Sequence, residues 1–271
     1  MLTIRKVKAI KEFHSCEAIQ KAVWQFEDRE IIPVNELITI QHNGGLVLGA
    51  FDKDKMIGFC FGFPGIRDGK LVHSSRMLAV LPEYRNTGIG LRMKLAQKKF
   101  AFSQGIDLIT WTFDPLQSLN AHFNIAKLGC IVRQYFVNIY GTSSSVLNSG
   151  METDRFLAEW HINRVWSLDS KSLRKVLKNI RQVNKTAISK SGFLISEKPD
   201  LRLNDKRLLV QIPGNINEIK AKDLALAKDW RLKTRVIFMA YFKKGYAVRG
   251  FISLPFREGA AYCYILNKTG G

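Results

Sequence analysis

Six consecutive residues in the first half of the chain have the composition of an anion-binding turn. They run Arg85-Asn86-Thr87-Gly88-Ile89-Gly90, and they stand between an apolar stretch and a segment with helical periodicity. The first N–H groups of a helix have no partner within the helix, and with the helix dipole they favour a bound phosphate. Glycine at 88 and 90 lets the main chain approach the anion, and Arg85 adds a permanent positive charge. The sequence therefore predicts a phosphate-binding loop.

Residue identity excludes two common phosphate loops. A Walker loop ends in Gly-Lys-Ser/Thr, whereas Gly90 is followed by Leu91 and Arg92. A dinucleotide-binding turn needs a third glycine at position 93, and that residue is Met93. The remaining pattern is Arg-x-x-Gly-x-Gly, which is consistent with a pyrophosphate-binding loop. The alternative is a turn that opens a helix and contains glycines by chance.

Hydrophobic periodicity predicts the elements that must position this loop. Before residue 165 it predicts helices at 8–26, 88–104 and 117–128, and strands at 46–52, 56–63, 71–80, 106–113, 130–140 and 155–162. After residue 165 it predicts a basic helix at 170–183, a strand at 208–212, a long helix at 224–244 and strands at 246–254 and 260–266. Alternating strands and helices of this kind indicate an α/β protein.

In that setting the loop resembles motif A of the GNAT acyltransferase superfamily. Residues 120–130 resemble the GNAT segment in which an Asn opens a helix that ends in Lys-x-Gly. Residues 44–50 and 110–116 are similar to a cluster of predicted microbial GNAT proteins, and the similarity covers about residues 1–165. The resemblance implies a GNAT-type mixed twisted sheet flanked by helices at 1–165. The basic α/β extension at 166–271 would shape the acceptor pocket or a homodimer interface.

The resemblance also implies a site for acetyl-CoA or another acyl-CoA as cosubstrate, with no metal. The loop N–H groups and Arg85 would hold the pyrophosphate, and the main chain at Leu78 and Val80 would pair with the pantetheine arm. The N–H near Leu78 would polarise the thioester carbonyl, and Asn120 would contact the cofactor from its other side. The acceptor would attack directly in a ternary complex, so positioning would supply much of the rate. The predicted cofactor-binding residues are Leu78, Val80, Arg85, Asn86, Thr87, Gly88, Ile89, Gly90 and Asn120.

The sequence differs from the family pattern at the positions of the general acid and the general base. GNAT enzymes often place a general-acid Tyr four residues before the glycine of the last helix, and that position is Ile125 here. The closer cluster has a His on the strand where this chain has Arg76. The remaining candidate bases are His73 and Asp114, either of which could deprotonate an ammonium. The alternatives are a hydrogen-bonded structural histidine and a turn or cap residue before Pro115.

Two arginines are candidate acceptor-binding residues, Arg76 and Arg155. The Arg155 guanidinium could bind a carboxylate of the acceptor through two hydrogen bonds. The alternative is an internal pair of Asp154 with Arg155 that fixes the long loop before it. Because the chain is strongly basic, we expect the acceptor to be a small-molecule amine that is acidic or amino-acid-like.

Composition limits the class of protein. The net charge of +19 lies mostly after residue 150, with a basic run at 171–190 that solubility or an anionic partner would explain. No nucleic-acid motif or interleaved aromatic residues accompany it, which disfavours a nucleic-acid partner. No apolar run approaches the roughly 20 residues of a membrane span. Four widely spaced cysteines indicate isolated buried thiols in a reducing cytoplasm.

These observations predict a cytoplasmic, acyl-CoA-dependent N-acyltransferase. An alternative of a different class is a non-catalytic GNAT-like sensor that binds acyl-CoA, which the missing Tyr would fit. A third hypothesis is recruitment of a nucleic acid or an anionic membrane by the basic extension. Salt-dependent binding that is lost on truncation after residue 165 would support that third hypothesis.

Overall fold

The computed structural model describes residues 2–141, 150–163, 180–256 and 259–269, without the side chains of 254–256 and 259–261. These residues form two compact units. The first unit contains residues 2–111 and 161–163, and the second contains the other described residues. The domain boundary that we predict at residue 165 stays a prediction.

The first unit is a five-stranded sheet with three helices. Its strands lie in the order β1-β2-β3-β4-β5, with antiparallel neighbours except for the parallel pair β4–β5. In chain order its elements are β1 (Leu2–Lys6), α1 (Ile10–Trp24), α2 (Val34–His42), β2 (Leu46–Asp52), β3 (Lys55–Arg67), β4 (Lys70–Val80), α3 (Ile89–Ser103) and the start of β5 (Leu108–Phe113).

Both faces of this sheet are buried, which explains why β2 is apolar at successive positions. Val47 and Phe51 of β2 pack with α1 and α2 in one core cluster. Leu46, Leu48 and Ala50 of the same strand pack with α3 in the other core cluster. Because successive side chains of a strand point to opposite faces, a strand covered on both sides loses the apolar–polar alternation. The mixed sheet with flanking helices that we predicted is confirmed.

The second unit is built on a six-stranded sheet in the order β7-β6-β12-β13-β11-β8, beside a small β9–β10 hairpin. Its elements after β5 are α4 (Ser118–Ala121), a π-helical turn (His122–Lys127), β6 (Ile131–Phe136), β7 (Arg155–His161), β8 (Arg181–Gln182), β9 (Thr186–Ile188), β10 (Leu194–Ser196), β11 (Arg207–Ile212), α5 (Ile216–Lys222), α6 (Leu224–Lys243), β12 (Tyr246–Phe256) and β13 (Gly259–Lys268).

Helix α6 forms the centre of the second unit's core. The Asp223 side chain caps its start by accepting from the Leu226 N–H, and the chain leaves the helix through Gly245 at φ +78. Phe238 packs edge-on against Phe156 of β7, with ring centroids 4.6 Å apart. The buried residues recur every three or four positions: Ala227, Trp230, Arg231, Thr234, Ile237, Phe238 and Tyr241. This long helix is confirmed.

Most of the predicted elements are confirmed, with ends shifted by a few residues, and two predictions are wrong in part. The helix predicted at 117–128 is a short α-helix followed by a π-helical turn. The basic helix predicted at 170–183 lies mostly outside the described residues, and Arg181–Gln182 is a strand that pairs with β11. Elements that we did not predict are β1, α2, α5 and the β9–β10 hairpin.

The four cysteines are free and buried, as predicted. In the described part of the chain, no helix is long and apolar enough to cross a membrane. The same residues contain no group of three or more His, Cys, Asp or Glu side chains placed to hold a metal ion.

Candidate functional site

The loop between β4 and α3 folds as a turn that opens the helix. A short 3-10 turn at Pro82–Tyr84 follows β4, and the Arg85 N–H donates to the Pro82 carbonyl oxygen at 3.2 Å. Asn86 and Gly88 then adopt left-handed φ values of 62 and 83. The Thr87 hydroxyl donates to the Tyr84 carbonyl oxygen at 2.7 Å, which holds the loop against the turn before it.

This loop presents a row of main-chain donors. The first bond of the helix runs from the Arg92 N–H to the Gly88 carbonyl oxygen at 3.1 Å. The N–H groups of residues 86–91 have no hydrogen-bond partner within the described part of the chain. A Cβ placed on Gly88 would meet no heavy atom within 4 Å, so the space beside the donors is open. A helix N-terminus with open space and exposed donors can bind a phosphate group.

The Arg85 side chain is exposed, and its Nε donates to the carbonyl oxygen of Val80 at 3.3 Å. The guanidinium is therefore held at the end of β4. Leu78 lies close to the same loop, since a Cβ on Gly90 would be 3.8 Å from Leu78 Cδ2. The structure thus brings together the predicted residues Leu78, Val80 and 85–90 at one end of the first unit.

Strand β4 leaves part of one edge open. On its β3 side it is paired as far as Val80, opposite Gly58. On its β5 side the paired residues are His73 with Ile109 and Ser74 with Thr110. Beyond Ser74 this edge of β4 has no further strand partner among the described residues of the first unit. An open strand edge offers main-chain donors and acceptors to an extended ligand.

A β-bulge interrupts β4 just past the last pair with β5. Ser75 is opposite Gly62 and Met77 is opposite Phe61, so Arg76 is the additional residue. A bulge bends the strand and re-aims the groups that follow it. The Arg76 side chain is exposed.

His73 is fully buried and takes part in a hydrogen-bonded cluster with α3. The Lys94 ammonium, which can only donate, bonds Gln97 Oε1 at 3.1 Å. The amide nitrogen of Gln97 therefore faces His73 Nε2, at 3.1 Å. This orientation makes Nε2 an acceptor and places the imidazole proton on Nδ1, which has no partner among the described residues.

Burial and, to a smaller extent, the nearby Lys94 charge together lower the pKa of His73 to about 4. The imidazole is thus neutral around pH 7. These contacts favour the structural alternative for His73, and its role as a catalytic base stays a prediction.

Asp114 is buried in the second unit and bonded to Arg231. Arg231 Nη1 and Nη2 donate to its two carboxylate oxygens at 2.8 and 2.6 Å. The Leu116 N–H donates to Asp114 Oδ1 at 2.8 Å, which is the bond of an Asx turn. Burial acts to raise the pKa of Asp114, but the Arg231 charge and hydrogen bonds outweigh it and the pKa is lowered. The turn role is observed, and the catalytic role stays a prediction.

The alternative of an internal Asp154–Arg155 pair stays a prediction, and the observed bond between the two residues runs through the main chain of Asp154. The Asp154 carboxylate accepts from Arg235 Nε and Nη2, both at 2.8 Å, and from the Tyr135 hydroxyl at 2.6 Å. Arg155 instead donates to the main-chain oxygen of Asp154 at 2.8 Å. Its guanidinium lies over the ring of Tyr140, 5.5 Å from the ring centroid.

Two positions of the last GNAT-like helix lie in the second unit. Asn120 is exposed on α4. Ile125, which replaces the Tyr of the family, is 2% exposed in the π-helical turn. An apolar, buried side chain cannot donate a proton, so this position supplies no general acid.

The comparison with known families identifies one domain. Residues 8–129 match the acetyltransferase (GNAT) family. No curated protein matches the sequence.

Among solved structures, the ribosomal-protein-S18-alanine N-acetyltransferase of Escherichia coli is similar with 14% identity and a TM-score of 0.49, over 61% of this chain and 97% of that chain. A GNAT-family acetyltransferase of Streptococcus pneumoniae is similar with 16% identity and a TM-score of 0.48, over 59% and 98%.

Proposed function

From the premise that residues 8–129 form a domain of the acetyltransferase (GNAT) family, we propose that this protein transfers an acyl group from acyl-CoA to an amine of a small molecule. The proposed cosubstrate is acetyl-CoA or a longer acyl-CoA. The observation that carries the proposal is the row of N–H groups at residues 86–91, which have no hydrogen-bond partner among the described residues and lie near the end of β4.

The first step of the proposal is binding of the coenzyme A pyrophosphate by the loop. Several main-chain donors and the helix dipole act on the same anion, and Gly88 leaves it room. Arg85 adds positive charge at the rim of the loop, although its Nε is bonded to Val80. The pantetheine arm would lie along β4 near Leu78 and Val80, as an added strand does.

The second step is attack of the neutral amine on the thioester carbonyl. A carbon–nitrogen bond forms, the carbon–sulfur bond breaks, the nitrogen loses a proton, and the thiolate of coenzyme A leaves and takes up a proton. The N–H near Leu78 would stabilise the oxyanion that develops during the attack. Since His73 and Asp114 are buried and hydrogen-bonded, we propose that the ammonium loses its proton to solvent before the attack.

The proposed acceptor is a small amine that carries a carboxylate, as in an amino acid. Arg155 of β7 supports this class, since a guanidinium can bind a carboxylate through two hydrogen bonds. Arg76, exposed at the bulge of β4, is the second candidate for contact with the acceptor. Asn120 is proposed to contact the cofactor.

The test is calorimetric titration with acetyl-CoA and longer acyl-CoA esters. Gly88→Trp should abolish binding because the indole fills the space beside the donors. Gly105→Trp is the matched control, since Gly105 follows the other end of α3, has a left-handed φ of +71 and also has open space around its Cβ position. The proposal would be overturned if Gly88→Trp bound acyl-CoA as tightly as the wild type, or if the wild type bound no acyl-CoA.

Transfer is then measured by thiol release with a panel of amines. Turnover with a carboxylate-bearing amine supports the full proposal. Binding that depends on Gly88 without turnover on any amine would instead favour the alternative of a GNAT-like acyl-CoA sensor, which the buried Ile125 at the general-acid position fits.

A further inference from the structure

A lysine is buried inside the first unit, one turn after the phosphate-binding loop. Lys94 of α3 is 2% exposed. Its Nζ donates to Ser75 Oγ at 2.8 Å and to Gln97 Oε1 at 3.1 Å, and it lies 3.7 Å from the centre of the Trp111 ring. Burying an ammonium costs free energy unless hydrogen bonds replace its contacts with water, so the buried position of Lys94 requires a functional or structural explanation.

The partners of Lys94 connect α3 with β4. Ser75 Oγ, which accepts from Lys94, donates to Gln97 Oε1 at 3.0 Å, and Gln97 bonds His73 at 3.1 Å. Two residues of β4, His73 and Ser75, are therefore tied to two residues of α3. We call this set of four residues, Lys94, Gln97, His73 and Ser75, the buried clamp.

The clamp holds β4 at a particular place. Ser75 immediately precedes Arg76, the additional residue of the bulge, and it follows Ser74, the last residue of β4 paired with β5. Past this point, the described residues of the first unit give this edge of β4 no strand partner, so no neighbouring strand among them fixes its main chain. The bond from Lys94 to Ser75 supplies a constraint from the helix side.

We propose that Lys94 is a positioning residue for acyl transfer, which holds the bulge of β4 so that the N–H groups after it meet the thioester carbonyl. This inference rests on the proposed function. Helix α3 carries the phosphate-binding loop at its start and Lys94 one turn later, so one rigid element fixes both ends of the cofactor site. Misplacement of reacting groups by about 1 Å can cost about a hundredfold in rate.

A purely structural role for Lys94 makes a different prediction. If the side chain only filled the core, its removal would lower stability, acyl-CoA affinity and turnover together. A positioning role separates turnover from affinity, because the N–H groups of residues 86–91 that bind the pyrophosphate are not part of the clamp.

The variants are Lys94→Met, Lys94→Arg and the control Lys99→Met, which removes an exposed charge from the same helix. We expect Lys94→Met to bind acetyl-CoA within about threefold of wild type and to lose at least about thirtyfold in transfer rate. Lys94→Arg should recover part of the rate, since it retains a donor to Ser75, and Lys99→Met should behave as wild type. Transfer by Lys94→Met within twofold of wild type, or losses of rate and affinity in equal measure, would overturn the proposal.

A readout without turnover separates this proposal from the proposed function. Amide ¹H–¹⁵N spectra of the cofactor-free protein should show shifts at residues 75–78 in Lys94→Met but not in Lys99→Met. Unchanged amides at these residues overturn the positioning role even if the wild type is active. A wild type that is inactive on every amine overturns the proposed function, and with it the catalytic meaning of the clamp.

If Lys94→Met does not fold, Ser75→Ala removes the same bond from the other side and should give the same separation of rate from affinity.

Discussion

Asp114 and Arg231 form a two-point ion pair in the core of the second unit, although they are 117 residues apart in the chain. Their side chains are 10% and 4% exposed. The pair connects the turn after β5 with helix α6, and the Leu116 N–H completes the bonding of the carboxylate. A buried ion pair of this kind adds little net stability, but loss of one partner leaves an uncompensated charge.

Arg231→Met should therefore lower the free energy of unfolding by about 3–5 kcal/mol. The double variant Asp114→Asn/Arg231→Met should be more stable than Arg231→Met alone, because Asp114 no longer leaves a buried carboxylate without Arg231 and the introduced amide oxygen can still accept from the Leu116 N–H. Denaturant unfolding of the wild type, Arg231→Met and the double variant measures this difference. Arg181→Met is the control, since it breaks an exposed pair with Asp205 and should change the unfolding free energy little. A double variant that is no more stable than Arg231→Met would contradict the prediction.

His73 should make stability depend on pH. Its pKa falls from 6.5 to about 4 on folding, because burial and the Lys94 charge disfavour the imidazolium. Between these values the unfolded chain binds more protons than the folded one, so stability is full above about pH 7 and is lost as the pH falls toward 4. The loss expected from this residue is about 3 kcal/mol. The check is denaturant unfolding of wild type and His73→Gln at several pH values.

The variant should lose less stability than the wild type over that pH range. Equal losses would show that His73 does not carry the effect. The same variant tests the predicted catalytic role of His73: a transfer rate that follows the ionisation of the acceptor amine in both proteins supports proton loss to solvent, and abolished transfer in a folded His73→Gln supports a catalytic base.

The sequence predicts those elements whose apolar pattern is set by a large buried face. Helix α6 is an example, because its apolar residues recur at helical spacing over 20 residues. Helix α2 was missed because Val34, Ile38, Thr39 and Ile40 are β-branched residues with low helix propensity, and only packing of Leu37 on the sheet decides its conformation. Strand β8 has two residues and exists through its partner β11, which local periodicity cannot reveal.

The helix-opening turn at residues 85–90 could be predicted because its geometry depends on consecutive residues, and its binding of phosphate stays a prediction. The partners of the predicted bases could not, because they are distant in sequence or resemble ordinary surface residues. Arg231 pairs with Asp114 across 117 residues. Lys94 shares α3 with the basic residues Arg92, Lys98 and Lys99, so the sequence suggests a solvated side chain. Only the contacts of Lys94 with Ser75 and Trp111 show that it is buried.

Arg85 should contribute modestly to acyl-CoA binding. Its side chain is exposed and its Nε is bonded to Val80, so its charge acts through solvent. We expect Arg85→Gln to weaken acetyl-CoA binding about threefold at low salt and to lose that effect at high salt. Titration at two ionic strengths checks this, with Arg67→Gln as a control on the β3–β4 hairpin of the same unit. A salt-independent loss of tenfold or more would mean that Arg85 contacts the pyrophosphate directly.

Arg155 should select for a carboxylate on the acceptor. The Arg155 guanidinium donates to the Asp154 main-chain oxygen and lies over the Tyr140 ring, which orient it. Arg155→Lys keeps the charge but loses the planar fork that binds a carboxylate through two bonds. The KM for a carboxylate-bearing amine should rise about tenfold with kcat within about threefold, while the KM for the matching amide should not change.

Steady-state kinetics with an amino acid and its amide measure this directly, and Arg207→Lys on β11 serves as the control at an exposed arginine. An equal rise in KM for both acceptors would mean that Arg155 maintains the structure of the site and does not bind the acceptor carboxylate. A fall in kcat without a change in KM would mean that Arg155 acts on the transition state, since an interaction made equally in the ground state and the transition state changes KM alone.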